Sequence, residues 1–287
     1  MTNAPPLRVL IVLTSLGSGG TERSLADLLP RYRAAGLTVE LAVFGEVEEG
    51  VQAEVTRGGF VVHRVPGRSL ATRARGLRRL IRARGPDLVH TSLFDADVAG
   101  RVAALGLAPV LTSIVNTSYS AARFGDPRIR PWKLRAAQAL DAATGLLLTK
   151  HFHAVTETVA REATRTLGIP ASRITVVERG RDPARLGEPG PARRAATRSA
   201  LALRDDQPVL LNVGREEFQK GQSTLLAAAA ALRRQHPDLV VLIAGRRGNV
   251  TGELDEQLAR LGLEGAVRRL GHRDDVPDLL CAADLFV

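Results

Sequence analysis

Short runs rich in β-branched residues and leucine alternate along most of the chain with longer stretches of helical period. That alternation restricts the chain to parallel sheets covered by helices. Strands are predicted over residues 7–14, 38–44, 60–65, 87–91, 110–115, 153–155 and 174–178, with helices between most of them, notably over 70–84, 96–105 and 157–167. The first strand runs into the turn Ser15-Leu16-Gly17-Ser18-Gly19-Gly20; in the following helix, over 21–35, Thr21 is placed to cap the start and Gly36 to stop the end. The stretch 182–199 differs in kind. Pro183, Gly187, Pro189, Gly190 and Pro191 stand there among scattered arginines without an apolar period, which is the chemistry of a linker. The alternation then restarts with strands over 209–213, 239–244 and 267–270 and helices over 222–235, 253–261 and 276–282. A last apolar run, Leu285-Phe286-Val287, begins as the sequence ends.

The expected architecture is therefore α/β, with two Rossmann-like domains built on parallel sheets. An N-terminal domain over 1–181 is followed by a linker over 182–199 and a second domain over 200–287. An open parallel sheet whose last strand lacks its covering helix would leave an apolar face and edge exposed. The second domain is accordingly expected to be incomplete, and the chain shortened relative to its parent.

A chain of 287 residues with 45% hydrophobic content can bury a substantial core, and its length suits two domains at about 150 residues each. Aromatic residues make up only 3%, so that core must rest on Leu, Val, Ala and Ile. The single cysteine, Cys281, excludes an internal disulfide framework and fits a reducing compartment. Residues 1–6 show no charged region leading into an apolar run, so no signal peptide is expected. No apolar stretch approaches the ~20 residues of a spanning helix, and the expected location is cytoplasmic. The net charge of +10 invites a nucleic-acid reading, but the basic residues are spread along the chain without stacking aromatics between them. Only three of the forty are lysine (Lys133, Lys150 and Lys220), a bias that suits genome composition as well as a polyanion partner. No nucleic-acid partner is expected.

The sharpest local signal is Gly214-Arg215-Glu216-Glu217-Phe218-Gln219-Lys220-Gly221, between a predicted strand and the next helix. In open α/β sheets ligands gather at the carboxyl ends of the strands. Gly214 permits close backbone approach, Arg215 offers a planar donor fork, and Lys220 adds a point charge beside a helix N-terminus, which together suit phosphate. The spacing is not that of a Walker loop. Taken alone, the pair reads equally well as two exposed basic side chains in a loop.

In order with other blocks it reads further. The chain resembles the retaining GT-B glycosyltransferases of family four through almost its whole length. Gly-Arg and Lys-Gly, spaced as here, match the family's donor-diphosphate motif. Leu242-Ile243-Ala244-Gly245, Leu270-Gly271-His272-Arg273-Asp274-Asp275-Val276-Pro277 and Ala282-Ala283-Asp284-Leu285-Phe286-Val287 resemble the family's next three blocks. Upstream, Gly19-Gly20-Thr21-Glu22 and Pro86-Asp87-Leu88-Val89-His90 resemble two more. The resemblance implies that Arg215 and Lys220 bind the diphosphate of a nucleotide-sugar donor and stabilise charge on it as it departs. It also implies that Gly214 and Gly245 keep the backbone open beside the nucleotide and that Gly271 and His272 meet its base. Gly19 and Gly20 would then face the donor phosphates or the acceptor across a cleft, with His90 and Asn116 beside them; the glycines also suit an ordinary turn, and His90 a satisfied strand end. The donor is a substrate; no cofactor and no metal are implied.

The departures are specific. Val115 stands where many relatives place a histidine near the transferred sugar, leaving Asn116 as the nearest hydrogen-bonding side chain, and Ser92 replaces a second histidine. Arg179 stands where asparagine is usual in the hinge block, and Arg179 or Arg181 would add positive charge. After the final strand, beyond the position of Val287, relatives continue with a Pro-Ser stretch and two glutamates that bind the donor sugar and ribose. Asp95-Ala96-Asp97 imitates the metal motif of other glycosyltransferases, but its place at a helix start suits capping better. The helix over 70–84 carries Leu70, Leu77, Leu80 and Ile81 on one side and Arg75, Arg78, Arg79 and Arg82 on the other. That basic face is the candidate for peripheral contact with an anionic membrane, set against the ordinary solvated face of a surface helix. The acceptor would be a glycan, a lipid-linked sugar or a small molecule. Two other readings stay open: a GT-B nucleotide-sugar epimerase, and a non-catalytic nucleotide-sugar binder.

Overall fold

The computed structural model describes residues 5–47, 50–180 and 182–287; Arg181 and the first four residues, on which part of the signal-peptide reading rests, lie outside them. The chain divides into two compact units, Met1–Arg181 and Asp182–Val287.

The first unit contains β1 (Arg8–Leu13), α1 (Gly20–Ala34), β2 (Thr38–Val43), α2 (Gln52–Arg57), β3 (Val61–Arg64), α3 (Leu70–Arg84) and β4 (Leu88–Ser92). It continues with α4 (Phe94–Ala104), β5 (Val110–Ile114), α5 (Ala121–Phe124), α6 (Pro131–Leu148), β6 (His151–Ala154), α7 (Glu157–Leu167) and β7 (Ile174–Val176). The strands form one sheet in the order β3-β2-β1-β4-β5-β6-β7, every pairing parallel. The order reverses between β1 and β4, the place where such sheets open a crevice at their carboxyl edge. Period-two alternation in β1 divides its side chains between two cores. Leu10 and Val12 join Leu77, Ile81, Ala96 and Ala99, while Val9, Ile11 and Leu13 join Leu25 and Leu29. Truncating one such buried leucine to alanine costs about 2–5 kcal/mol.

The second unit contains α8 (Pro183–Leu186), α9 (Pro191–Ala200), β8 (Val209–Val213), α10 (Gln222–Leu232), β9 (Val240–Ala244), α11 (Thr251–Leu261), β10 (Val267–Gly271), α12 (Val276–Ala282) and β11 (Leu285–Phe286). Its sheet is parallel in the order β10-β9-β8-β11, so β8, the first strand of the unit in chain order, is flanked on both sides.

Several local expectations change. The stretch 182–199 carries two helices, α8 and most of α9. The arginines that resembled linker chemistry fasten α9 to α12: Arg193 Nε lies 2.5 Å from Asp278 Oδ1, and Arg194 donates to the carbonyls of Cys281, Ala282 and Ala283. Arg198 is only 1% exposed and donates to Ala282 O at 2.7 Å. The helix α1 begins at Gly20, and Thr21 does not cap it; its hydroxyl accepts from Arg179 instead. Asp95 and Asp97 do not cap α4 either. Asp95 pairs with Arg73, and Asp97 turns into the protein. On α3, Leu77 and Ile81 are buried as expected, and Arg78 reaches the carbonyls of Ala103 at 3.0 Å and Leu105 at 2.7 Å, closing the end of α4. Arg75, Arg79 and Arg82 are exposed. Among the described residues no helix is long and apolar enough to cross a membrane.

Candidate functional site

At the carboxyl end of β8 the chain leaves the sheet through Gly214, makes a short 3-10 turn over Phe218–Lys220, and enters α10 through Gly221 at φ +65°. Arg215 and Lys220 are both exposed, and both project from this turn. The Lys220 stem lies over Gly214, where a Cβ would sit 3.3 Å from Lys220 Cδ. Arg215 is held by an ion pair, its Nη1 3.4 Å from Glu217 Oε1. The first turn of α10, whose leading N–H groups have no intrahelical acceptor, opens beside Lys220. Gln222, the first residue of that helix, is buried and donates to Asn212 Oδ1 and Gly214 O, both at 3.1 Å.

Gly245 lies against this turn. A Cβ there would meet Gly214 O at 2.0 Å, so only glycine lets the loops after β8 and β9 run this close. Gly271, at φ +67°, ends β10 and accepts from the Gly245 N–H at 2.7 Å. His272 follows and stands 3.4 Å from Asp274, with its side chain 38% exposed. The structure thus brings Gly214, Arg215, Lys220, Gly245 and Gly271 to one edge, with His272 on the adjoining loop.

In the first unit, Gly19 and Gly20 lead into α1, and Arg179 donates from Nη1 to Gly20 O at 3.2 Å and from Nη2 to Thr21 Oγ1 at 3.3 Å. Thr21 and Arg179 share a small cavity with His90, Ser113 and His153. His90 Nε2 lies 2.7 Å from Ser113 Oγ, Ser113 Oγ 2.8 Å from His153 Nδ1, and His153 Nε2 2.9 Å from Val177 O. A carbonyl only accepts, so His153 carries its proton on Nε2. With neutral rings, Ser113 then donates to His153 and accepts from His90. Burial, and next the charge of His153, push His90 down to about 4, so it is neutral at pH 7. Asn116 follows the end of β5, lines a second cavity that shares Ser113 and Val115 with the first, and accepts from Ser118 at 2.5 Å.

That second cavity, of about 250 Å³, is also lined by Asp97, Arg101, Asp141 and Tyr119. Arg101 is 2% exposed, lies 2.6 Å from Asp141 Oδ1, and donates further to Asp141 O and Thr144 Oγ1, both at 3.1 Å. Tyr119 donates to Asp141 Oδ2 at 2.9 Å. Burial pushes the Asp97 carboxyl up to about 7 against the opposing pull of Arg101. Its folded value thus lies above its unfolded one, so its contribution to stability is whole below about pH 4 and is lost as pH rises through about 7. Asp97→Asn is therefore expected to stabilise the fold by something on the order of 3 kcal/mol at slightly alkaline pH and by clearly less in mild acid. Urea unfolding of parent and variant at both values checks this, and a gain independent of pH would contradict it.

Of Asp95-Ala96-Asp97, Asp95 pairs with Arg73 and Asp97 lines the cavity of Arg101 and Asp141. Among the described residues no group of three His, Cys, Asp or Glu is placed to hold a metal ion.

Residues 18–185 match the family model Glycosyltransferase Family 4, and residues 193–287 match Glycosyl transferases group 1. The chain belongs to glycosyltransferase family 4. Its α/β fold of two parallel sheets, the second smaller, is GT-B. It is similar to the Anabaena Alr3699/HepE structure in complex with UDP-glucose (TM-score 0.82, 21% identity, 98% of this chain and 73% of that one). It is also similar to WaaG, a glycosyltransferase involved in lipopolysaccharide biosynthesis (TM-score 0.76, 19% identity, 97% of this chain and 74% of that one). Among curated relatives, the D-inositol 3-phosphate glycosyltransferase of Salinispora arenicola is 30% identical over 250 residues, covering 79% of this chain and 54% of that protein. A Thermobispora bispora protein of the same name is 34% identical over 172 residues, covering 56% of this chain and 38% of its own length. The family 4 chain spans about half the length, or less, of these relatives.

Three members of the two edges were not foreseen. Glu216 lies in plain view beside Arg215 but points inward. Ser113 and His153 join His90 across three strands, and the period-two spacing of His151 and His153 is the sequence signal for a histidine on the same sheet face as His90.

Proposed function

We propose that this chain grips the diphosphate of a nucleotide-sugar donor with Arg215 and Lys220, as part of an enzyme that moves the sugar to an acceptor with retention of configuration. The observation that carries the reading is the turn after β8. An exposed arginine and an exposed lysine, the stem of the latter lying over Gly214, leave one turn at the carboxyl edge of a parallel sheet, beside a helix N-terminus. Family membership and the likeness to a protein solved with UDP-glucose support the same reading. Preorganised cations of this kind stabilise charge that develops on a leaving diphosphate, and no metal ion is needed for that step. The first unit holds the acceptor at its carboxyl edge near Gly19, Gly20, His90 and Arg179, and the exposed Arg75, Arg79 and Arg82 of α3 are its candidates for contact with an anionic membrane.

Calorimetry with UDP, ADP and GDP tests the grip. Charge-assisted hydrogen bonds to phosphate are worth about 1.5–3 kcal/mol each, so Arg215→Ala with Lys220→Ala should weaken binding by at least about a hundredfold. Unchanged affinity would refute the assignment. Binding without sugar transfer would favour a non-catalytic binder, and conversion of the donor to its isomer would favour an epimerase. The Glu217 carboxylate competes with phosphate for Arg215, so Glu217→Gln should tighten binding severalfold in the same titration; weaker binding would show that this carboxylate positions Arg215 instead.

A further inference from the structure

Glu216 is 1% exposed, although it stands in the turn between two exposed basic residues. The backbone bends tightly at Glu216, where the Glu217 N–H donates to Arg215 O at 2.8 Å, and the bend leaves Arg215 exposed and Glu216 buried. Its peptide N–H donates to Arg246 O at 3.0 Å, in the loop after β9, and its carbonyl accepts from the Val250 N–H at 3.2 Å. The carboxylate is held as well. Oε2 accepts from Thr251 Oγ1 at 2.5 Å, and Oε1 lies 3.4 Å from Arg269 Nε on β10. Thr251 Oγ1 in turn accepts from the Gly248 N–H at 2.9 Å, which fixes the loop that leads into α11. Gly248 is wedged against the same residue, since a Cβ there would lie 2.3 Å from Glu216 O. Arg269 also pairs with Asp255 of α11. One buried carboxylate therefore ties the segments that follow β8 and β9 to the end of β10.

A buried carboxylate is costly to desolvate and is retained where its partners compensate. A hydrophobic residue would fill this volume more cheaply, but it would take the carboxylate acceptor from Thr251, leave Arg269, among the described residues, with Asp255 as its remaining carboxylate partner, and would not fix the loops. From this geometry we infer that Glu216 is a positioning residue for the diphosphate grip. It holds the backbone of residue 215 so that the Arg215 guanidinium is already placed when the anion arrives, and it acts through Arg215 rather than by touching the donor. The inference rests on the donor-diphosphate reading given above. The reduction in ordering cost is the ordinary origin of affinity in a preorganised site.

The test is a double-mutant cycle read by calorimetry with UDP, with thermal melts of every variant. Glu216→Gln keeps the volume and an acceptor for Thr251 but loses the charge that holds Arg269. It should weaken UDP binding about tenfold in the parent background and less than about twofold when Arg215 is already alanine, the coupling expected of neighbours that act as one unit. A general loss of folded structure would lower affinity equally in both backgrounds, so equal losses would overturn the inference, as would no loss in either. Should Glu216→Gln fail to fold, Arg269→Gln cuts the same pair from β10 and is held to the same coupling with Arg215→Ala. If Arg215→Ala with Lys220→Ala leaves UDP binding intact, the donor reading fails first. If that variant loses binding and Glu216→Gln shows no coupling, only the positioning role fails.

Discussion

Arg101→Ala is expected to destabilise the first unit by about 3–5 kcal/mol, the cost of removing one partner from a buried ion pair. Arg101 is 2% exposed and sits between the sheet and α6, where it contacts Thr112, Asp141 and Thr144. Among the described residues, its removal leaves the Asp141 carboxylate with Tyr119 as its one side-chain donor. Asp97 then loses the charge that favours its ionised form, so its carboxyl should rise further still. Melts followed by far-ultraviolet dichroism should show a midpoint lower by roughly 10 °C, at about 2–4 °C per kcal/mol for a unit of this size. A paired replacement, Arg101→Met with Asp141→Leu, should recover much of the loss because no lone charge stays buried. A loss below about 1 kcal/mol for the single change would mean that water from the adjoining cavity relieves Asp141.

Gly245→Ala should be nearly as damaging in the second unit, for a different reason. The added methyl group would stand 2.0 Å from Gly214 O and 2.5 Å from Gly214 C. These are backbone atoms of β8's exit and cannot swing aside like a side chain. The strand ends must separate, with loss of the hydrogen bond from the Gly214 N–H to Ala244 O at 2.9 Å and of that from Gly245 to Gly271. A cost above about 3 kcal/mol is expected, together with loss of diphosphate binding, because Arg215 and Lys220 are carried by the displaced turn. Gly252→Ala supplies the control. It lies in the first turn of α11 with open space at its Cβ position beyond its own helix backbone, so the same chemical change should be neutral or stabilise the helix by up to about 0.5 kcal/mol. If both variants melted like the parent, close backbone approach would not be the reason for glycine at position 245.

The strands were legible because their residues bury both faces of a sheet and so read as unbroken apolar runs; β1 and β9 are examples. The exposed cations after β8 were legible as a candidate anion site through their order with the other family blocks, since alone a Gly-Arg and Lys-Gly pair reads equally well as two basic side chains in a loop. Helix α9 was obscured by its arginines, which a composition reading assigns to solvent but which donate to the carbonyls at the end of α12. Glu216 was obscured for the converse reason. A carboxylate in a polar loop reads as solvated, and it is the bend at Glu216, together with Thr251 and with Arg269 some fifty positions onward, that turns it inward. Long-range partners of this kind leave no local periodic trace. Helix α6 was missed because its outer face is apolar: Trp132, Leu140 and Leu147 are exposed while Asp141 and Thr144 are buried, the reverse of the usual amphipathic order.

That inversion has a practical effect on measurement. Trp132 is the only tryptophan in the chain and is already 64% exposed in the folded protein, with Lys133 near its ring. Its emission should be red and readily quenched by acrylamide before any denaturant is added, and should change little as either unit unfolds. Intrinsic fluorescence is consequently a poor probe of stability here and a good probe of the α6 surface. A blue shift in the native protein would report that something has covered that helix.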